Sequence, residues 1–463
     1  MRALGRFILF VLFLGIVLAA GAWIWASRQP GPVITIRQPE KFIGQATSLE
    51  LSVEAPGGQF TRIDVGLEQN GRTMPVFALG QPSGSEMKQD SADRIYIMRP
   101  IGKRAIPELQ EGTARIVVHA TRPVLRGLRQ AESTAIRDVQ VRLQPPRVGV
   151  LSTHHYVNHG GAEFVVYRAT PPDAASGVRV GERTYPGFPG SAVGLQDPAV
   201  HVAFFGLLFD QDLQTPVELF ARDQAGNEAT AAVDRRPFPK PFKRSRIEID
   251  DAFLSRVVPA IASNTRDVQI DASDPLQAFL RINGELRRRN AETIAALAQK
   301  TAPEMQWKDK FQQLGNSQVE AGFADHRTYF YKGREVDRQV HLGFDLAVTA
   351  NVPVVAAQRG TVVFADYLGI YGNCVIIDHG LGVQSLYAHL SLIDVKPGQQ
   401  VEKGHTLGRS GMTGLAGGDH LHFTMLLNGQ PVNPVEWWDA KWMQDRVFRK
   451  VAEAGGAALS ATP

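Results

Sequence analysis

Residues 7–26 read FILFVLFLGIVLAAGAWIWA, twenty positions without a charge. A surface helix of a soluble domain keeps a polar face, and this segment has none. As an α-helix it would span about 30 Å, the thickness of a bilayer core. Arg2 and Arg6 precede it, which predicts residues 1–6 in the cytoplasm and everything after residue 27 outside. A cleaved signal peptide is the rival reading, because AGA at 20–22 resembles a cleavage site. The length of the run favours a retained anchor over 7–27, with Trp23 and Trp25 at the far interface. In either case the body is exported. The chain has a single cysteine, Cys374, so it can build neither a disulfide framework nor a cysteine metal site. These features predict a bacterial envelope protein, single-pass in the inner membrane, with a periplasmic or extracellular body.

The exported part is too long for one ordinary core, with 463 residues in the whole chain. A net charge of +4 is too weak to argue for nucleic acid as a partner. The pattern is mainly β. From 28 to 145, short alternating runs such as SLELSVEA and ARIVVHA are separated by PGG at 56–58 and NG at 70–71, as in a β-sandwich. From 146 to 234 a second β unit follows, with AEFVVYRA, HVAFFGLLF and a DQAGN turn that resembles the last hairpin of bacterial immunoglobulin-like domains. DRRPFPKPFKRSR at 234–246 holds three prolines and six basic residues and reads as a linker. Within 235–305, helices are predicted after Asp250–Asp251 and from Asp274–Pro275. Strands and turns resume over 306–440, and 441–463 reads as a tail.

GDHLHF at 418–423 places two histidines two residues apart in a strand pattern, so His420 and His422 share one face while Leu421 faces the other. A core strand would use Val or Ile there. Further upstream, HLGFD supplies His341 and Asp345, and LYAHLS supplies His389. Imidazole and carboxylate suit Zn²⁺, which takes three protein ligands and keeps a fourth position for water in catalytic sites. Spacing alone does not say which histidines are ligands.

HLGFD, YGNCVIIDHGLGVQSLYAHLS, VKPGQQVEKGHTLGRSGMTG, GDHLHF and NGQPVNP follow one another in the order seen in the lysostaphin-like, or LytM-type, zinc metalloendopeptidases. The resemblance covers residues 340–436. It implies a small antiparallel β-sheet domain with an open groove, a Zn²⁺ cofactor held by His341, Asp345 and His422, and His389 and His420 as the catalytic pair. Asn373 matches a position near the substrate cleft. Tyr387, either a cleft-wall or a core aromatic, is set beside it as substrate-binding. Thr424 stands where an acidic residue is common. His379 recurs in the family without binding metal. The implied reaction is hydrolysis of peptide cross-links in peptidoglycan by a zinc-activated water, with the base and the oxyanion partner divided between His389 and His420 in an order left open. The alternative is a non-catalytic scaffold that binds peptidoglycan or activates a cell-wall amidase. Relatives of that kind lack several of the five residues, and this sequence keeps them all. The size of 28–305 suggests in addition that this region regulates access to the cleft.

Overall fold

The computed structural model describes residues 2–55, 59–81, 87–91, 93–347 and 349–456. The expected turn at 56–58 and the final residues 457–463 lie outside the described residues. Two compact units are present, one formed by 1–146 with 222–228 and the other by 147–221 with 229–463.

In the first unit, the apolar run forms the helix Arg2–Ser27, and its stretch Leu4–Ser27 is long and apolar enough to cross a membrane. Its last turn leaves Ala26 against Val124 and Ala131. The β-sandwich pairs a four-stranded sheet with a five-stranded one, the latter containing the long hairpin Gly112–Val124 and Arg129–Val141. Alternation decides the core. Ile63, Val65 and Leu67 point inward with Ile95, Ile97, Ile116 and Val118, while the intervening residues face out.

The second unit merges stretches that the sequence separates. Gly161–Thr170 and Val200–Leu207 pair antiparallel over eight positions. Their inward residues Phe164 and Phe204 join Trp307, Phe311, Trp437 and Phe448 in one core. Ring centroids of Phe204 and Trp437 are 5.6 Å apart. Burial of each such aromatic contributes about 2–3 kcal/mol. Three buried polar ties reinforce the junction. Glu436 accepts from Asn158 Nδ2 and from the Ala162 N–H, both at 2.7 Å, and Lys450 Nζ donates to Glu163 Oε1 at 2.7 Å.

Two expectations are corrected. The stretch 234–246 is not a free linker, because Arg235–Phe238 runs parallel to His155–Asn158 and Arg244–Ile249 runs parallel to Asp325–Tyr331. Both lie at sheet edges, where a strand is paired on one side only and proline is tolerated. The tail also begins later than 441. Ala440–Glu453 is helical and buries Trp442, Met443, Val447, Phe448 and Val451.

The helical segment belongs to the same body. Asp250 accepts from the Phe253 N–H and caps Asp251–Asn264. Asp274 accepts from Leu276 and Gln277 and caps Pro275–Arg281. A wider π-type turn at Ile282–Leu286 then leads into Arg287–Ala298. Leu254, Val258, Phe279 and Ile282 pack on Tyr329 and Ile370. Beyond them lies a large antiparallel sheet containing Phe344–Ala347, His420–Leu427, Val383–Leu390 and Asn373–Asp378 as consecutive neighbours. Cys374 is fully buried in it, a small apolar side chain among others.

Candidate metal centre

The strand His420–Leu427 lies between Phe344–Ala347 and Val383–Leu390, opposing His422 to Asp345 on one side and to Ala388 on the other. His420, His422 and Thr424 share a face, and Leu421 and Phe423 go into the core. His341 ends the preceding strand Arg334–His341. Between the two motif residues, Gly343 passes under the imidazole of His422. A Cβ there would meet His422 Nε2 at 2.5 Å and Thr424 Oγ1 at 2.6 Å. The glycine of HLGFD is thus required by close approach.

His341 Nε2, His422 Nδ1 and Asp345 Oδ1 converge, with separations of 2.9, 3.0 and 3.0 Å. Their outer contacts fix where the protons are. His341 Nδ1 lies 3.0 Å from the Gly322 carbonyl and must carry its hydrogen there. Thr424 Oγ1 donates to the Leu342 carbonyl and therefore accepts from His422 Nε2–H, at 3.0 Å each. In the neutral rings both inward nitrogens are then lone pairs. Burial opposes ionisation of Asp345, and its carboxyl falls well below the usual range only with His341 charged and His341, His420 and His422 donating to it, so the anion calls for positive charge among these rings. Two lone pairs and an anionic oxygen at 3 Å repel one another unless a cation lies among them. The donor set therefore fits a divalent ion of the zinc type. Arg327 Nη2 donates to the other Asp345 oxygen at 2.9 Å and orients the carboxylate.

Two more imidazoles stand beside this cluster. His389 Nδ1–H donates to the Thr413 carbonyl at 2.8 Å, and His420 Nδ1–H donates to the Gly418 carbonyl at 2.9 Å. Their ring centroids are 4.8 Å apart, and His389 is 5.6 Å from His422. Strand alternation would send His389 to the side of Tyr387, into the core. Its backbone is left-handed, with φ of 63°, and the alternation ends there. Burial, followed by the charges of His420 and His422, pushes His389 well below its ordinary pKa. Burial opposes charge on His420 too, but the Asp345 carboxylate outweighs it and raises that group.

The five side chains line a cleft of about 340 Å³ together with Arg287, Tyr371 and Tyr329. Tyr371 stands 5.6 Å from His422. Arg287, Arg327, Tyr329 and Tyr371 were not singled out in the sequence, where nothing in their local pattern separates them from ordinary strand and helix residues. Two expected residues are elsewhere. Tyr387 is fully buried, with its hydroxyl accepting from the Ala357 N–H at 2.7 Å, and is a core aromatic. Asn373 donates through Nδ2 to the Leu390 carbonyl at 3.0 Å, and its backbone N–H donates to Thr413 Oγ1. It braces the segment that anchors His389 and does not line the cleft. His379 is fully buried with Nδ1–H on the Arg359 carbonyl, a structural residue.

The histidine–aspartate–histidine donor set, flanked by two carbonyl-anchored imidazoles, could hold a metal ion. Residues 339–434 match the model of peptidase family M23, and this part of the chain belongs to that LytM-like family. It is 44% identical over 97 residues to the DD-carboxypeptidase/endopeptidase Mpg of Neisseria meningitidis serogroup B, covering 21% of this chain and 22% of that protein. It is 30% identical over 161 residues to the peptidoglycan DD-endopeptidase ShyA of Vibrio cholerae, covering 35% of this chain and 34% of that protein. The chain thus spans between about a fifth and a third of these curated relatives. The catalytic domain of lysostaphin from Staphylococcus simulans aligns at 26% identity and a TM-score of 0.23, over 27% of this chain and 92% of that domain.

Proposed function

We propose that this chain is a membrane-anchored zinc metalloendopeptidase that hydrolyses peptide cross-links of bacterial peptidoglycan. The observation that carries the reading is the pair of imidazoles, each spending its Nδ1–H on a backbone carbonyl beside the three converging donor atoms, with His420 Nε2 3.4 Å from Asp345 Oδ1. His341 Nε2, Asp345 Oδ1 and His422 Nδ1 would hold the ion. Zinc in such a site acidifies water toward a pKa of about 7 and polarises an amide carbonyl. One of His389 and His420 accepts the water's proton at Nε2 and passes it to the leaving amine, and the other stabilises the oxygen that becomes negative. The names of the relatives Mpg and ShyA support peptidoglycan as the substrate. The helix over Leu4–Ser27, preceded by Arg2, supports a single-pass anchor with the body in the periplasm. A scaffold that only binds peptidoglycan would tolerate loss of a donor or of a cleft imidazole, and all five are in place.

Zinc content and digestion of purified sacculi test this. His341→Ala is expected to lose metal and activity together. His389→Ala is expected to keep most of the metal and lose the activity. Intact sacculi after incubation with the zinc-loaded, unsubstituted chain would refute the hydrolase.

A further inference from the structure

The sheet face that carries His420, His422 and Thr424 continues into Leu426, which packs with Cys374, Ile376 and Leu386 under Ile294. Arg287, Ala291 and Ile294 are spaced i, i+4, i+7, so one face of the helix Arg287–Ala298 looks into the cleft, and all three line it with the histidines. Arg287 is the charged member of that face, and its setting is unusual. A half-buried arginine is ordinarily paired with a carboxylate. Among the described residues no carboxylate lies within ion-pair distance of it. Both of its contacts are neutral: Nε donates to the Asn283 carbonyl at 3.1 Å and Nη2 to Asn283 Oδ1 at 2.5 Å. Asn283 is fully buried in the π-type turn that opens the helix, and its Nδ2 donates to Asp337 Oδ2 at 2.7 Å. The guanidinium is thus held in place by a relay that leaves its charge uncompensated and three of its five N–H groups unspent. Its field reaches Tyr371, the ring beside His422. The other arginine next to the histidines, Arg327, is committed to Asp345 and Asp325.

We propose that Arg287 is the carboxylate subsite of the cleft: the peptide presented to the metal centre carries a free carboxylate near the bond to be cut, and the unspent N–H groups grip it. A preorganised guanidinium fork matches a carboxylate in geometry and charge, whereas the corresponding primary amide has neither the charge nor two equivalent acceptor oxygens. The proposal builds on the peptidase reading, since the ligand is its peptide substrate, but it is read by binding and not by turnover.

The test is calorimetric titration of the zinc-loaded full chain carrying His389→Ala, to suppress cleavage. The ligands are cross-linked muropeptides, either native or with their carboxylates converted to primary amides. The native form is expected to bind at least about tenfold more tightly. Adding Arg287→Gln should bring the two forms to equal affinity, and Arg287→Lys should recover part of the preference. Equal binding of the two forms, no binding of either, or a preference that survives Arg287→Gln overturns the proposal. The native-against-amide comparison decides it even if Arg287→Gln does not fold. Cleavage by the chain with His389 intact is scored separately, so a protein that prefers the native form yet leaves it whole refutes the hydrolase and leaves the subsite standing.

Discussion

Gly343 shows how much of the metal site rests on a missing methyl group. The Cβ of an alanine would sit 2.5 Å from His422 Nε2, and the imidazole would have to leave its bond to Thr424. Gly343→Ala is therefore expected to lower zinc occupancy as far as loss of a ligand does, with the β-sheet circular dichroism retained. Arg327 acts one contact further out, on the carboxylate that completes the donor set. Arg327→Gln should weaken zinc by roughly 10–100-fold in chelator competition, the range for groups that orient ligands. Away from the metal, burial holds His379 down to about 4 against an ordinary value near 6.5. Its folded pKa lies below its unfolded one, so the stability it contributes is complete above about pH 6.5 and is lost as pH falls toward about 4. The shift corresponds to about 3 kcal/mol at most. Urea unfolding at pH 7, 5.5 and 4.5 should show a shallower acid loss in His379→Gln than in the parent, and equal slopes would remove His379 from the account.

At the level of strands and helices, the metal ligands were legible because a strand repeats every two residues. His420, His422 and Thr424 fall on one face by that rule alone. Thr424, which departs from the common family residue, gains a reason only in three dimensions, as the acceptor that fixes the tautomer of His422. Asn373 does not line the cleft, and of the two readings of Tyr387 the core one holds, for a related cause. The pairing of Asn373–Asp378 with Val383–Leu390 shifts register at its end, and the left-handed His389 stops the alternation, so neighbours of a cleft residue need not share its surroundings. The linker was misread because proline and charge exclude a central strand, yet edge strands accept both. The helices were legible from their caps, and the caps carry a measurable share of stability. Asp274→Ala frees the N–H groups of Leu276 and Gln277 and is expected to cost about 1 kcal/mol in thermal unfolding. An unchanged midpoint would show that solvent replaces the cap fully.

Across the whole second unit, the packing joins the immunoglobulin-like strands to the peptidase sheet through Phe204, Trp307 and Trp437. Deleting 28–305 to test regulation would therefore remove part of the core along with any regulatory contact. Lys450→Met would leave Glu163 charged and buried without its cation, at a cost of about 3–5 kcal/mol read from the urea midpoint. A loss under 1 kcal/mol would mean that Glu163 finds another partner or takes up a proton.

Glu436 carries this furthest, since a side chain of the peptidase half accepts hydrogen bonds from the backbone N–H of Ala162 and the side-chain amide of Asn158 in the other half. The family match covers 339–434, and a designer who transplants that stretch onto a new carrier would divide a shared hydrophobic core and leave Glu436 behind. The compact body that holds the histidines is 147–221 with 229–463, so the immunoglobulin-like strands would have to travel with the site.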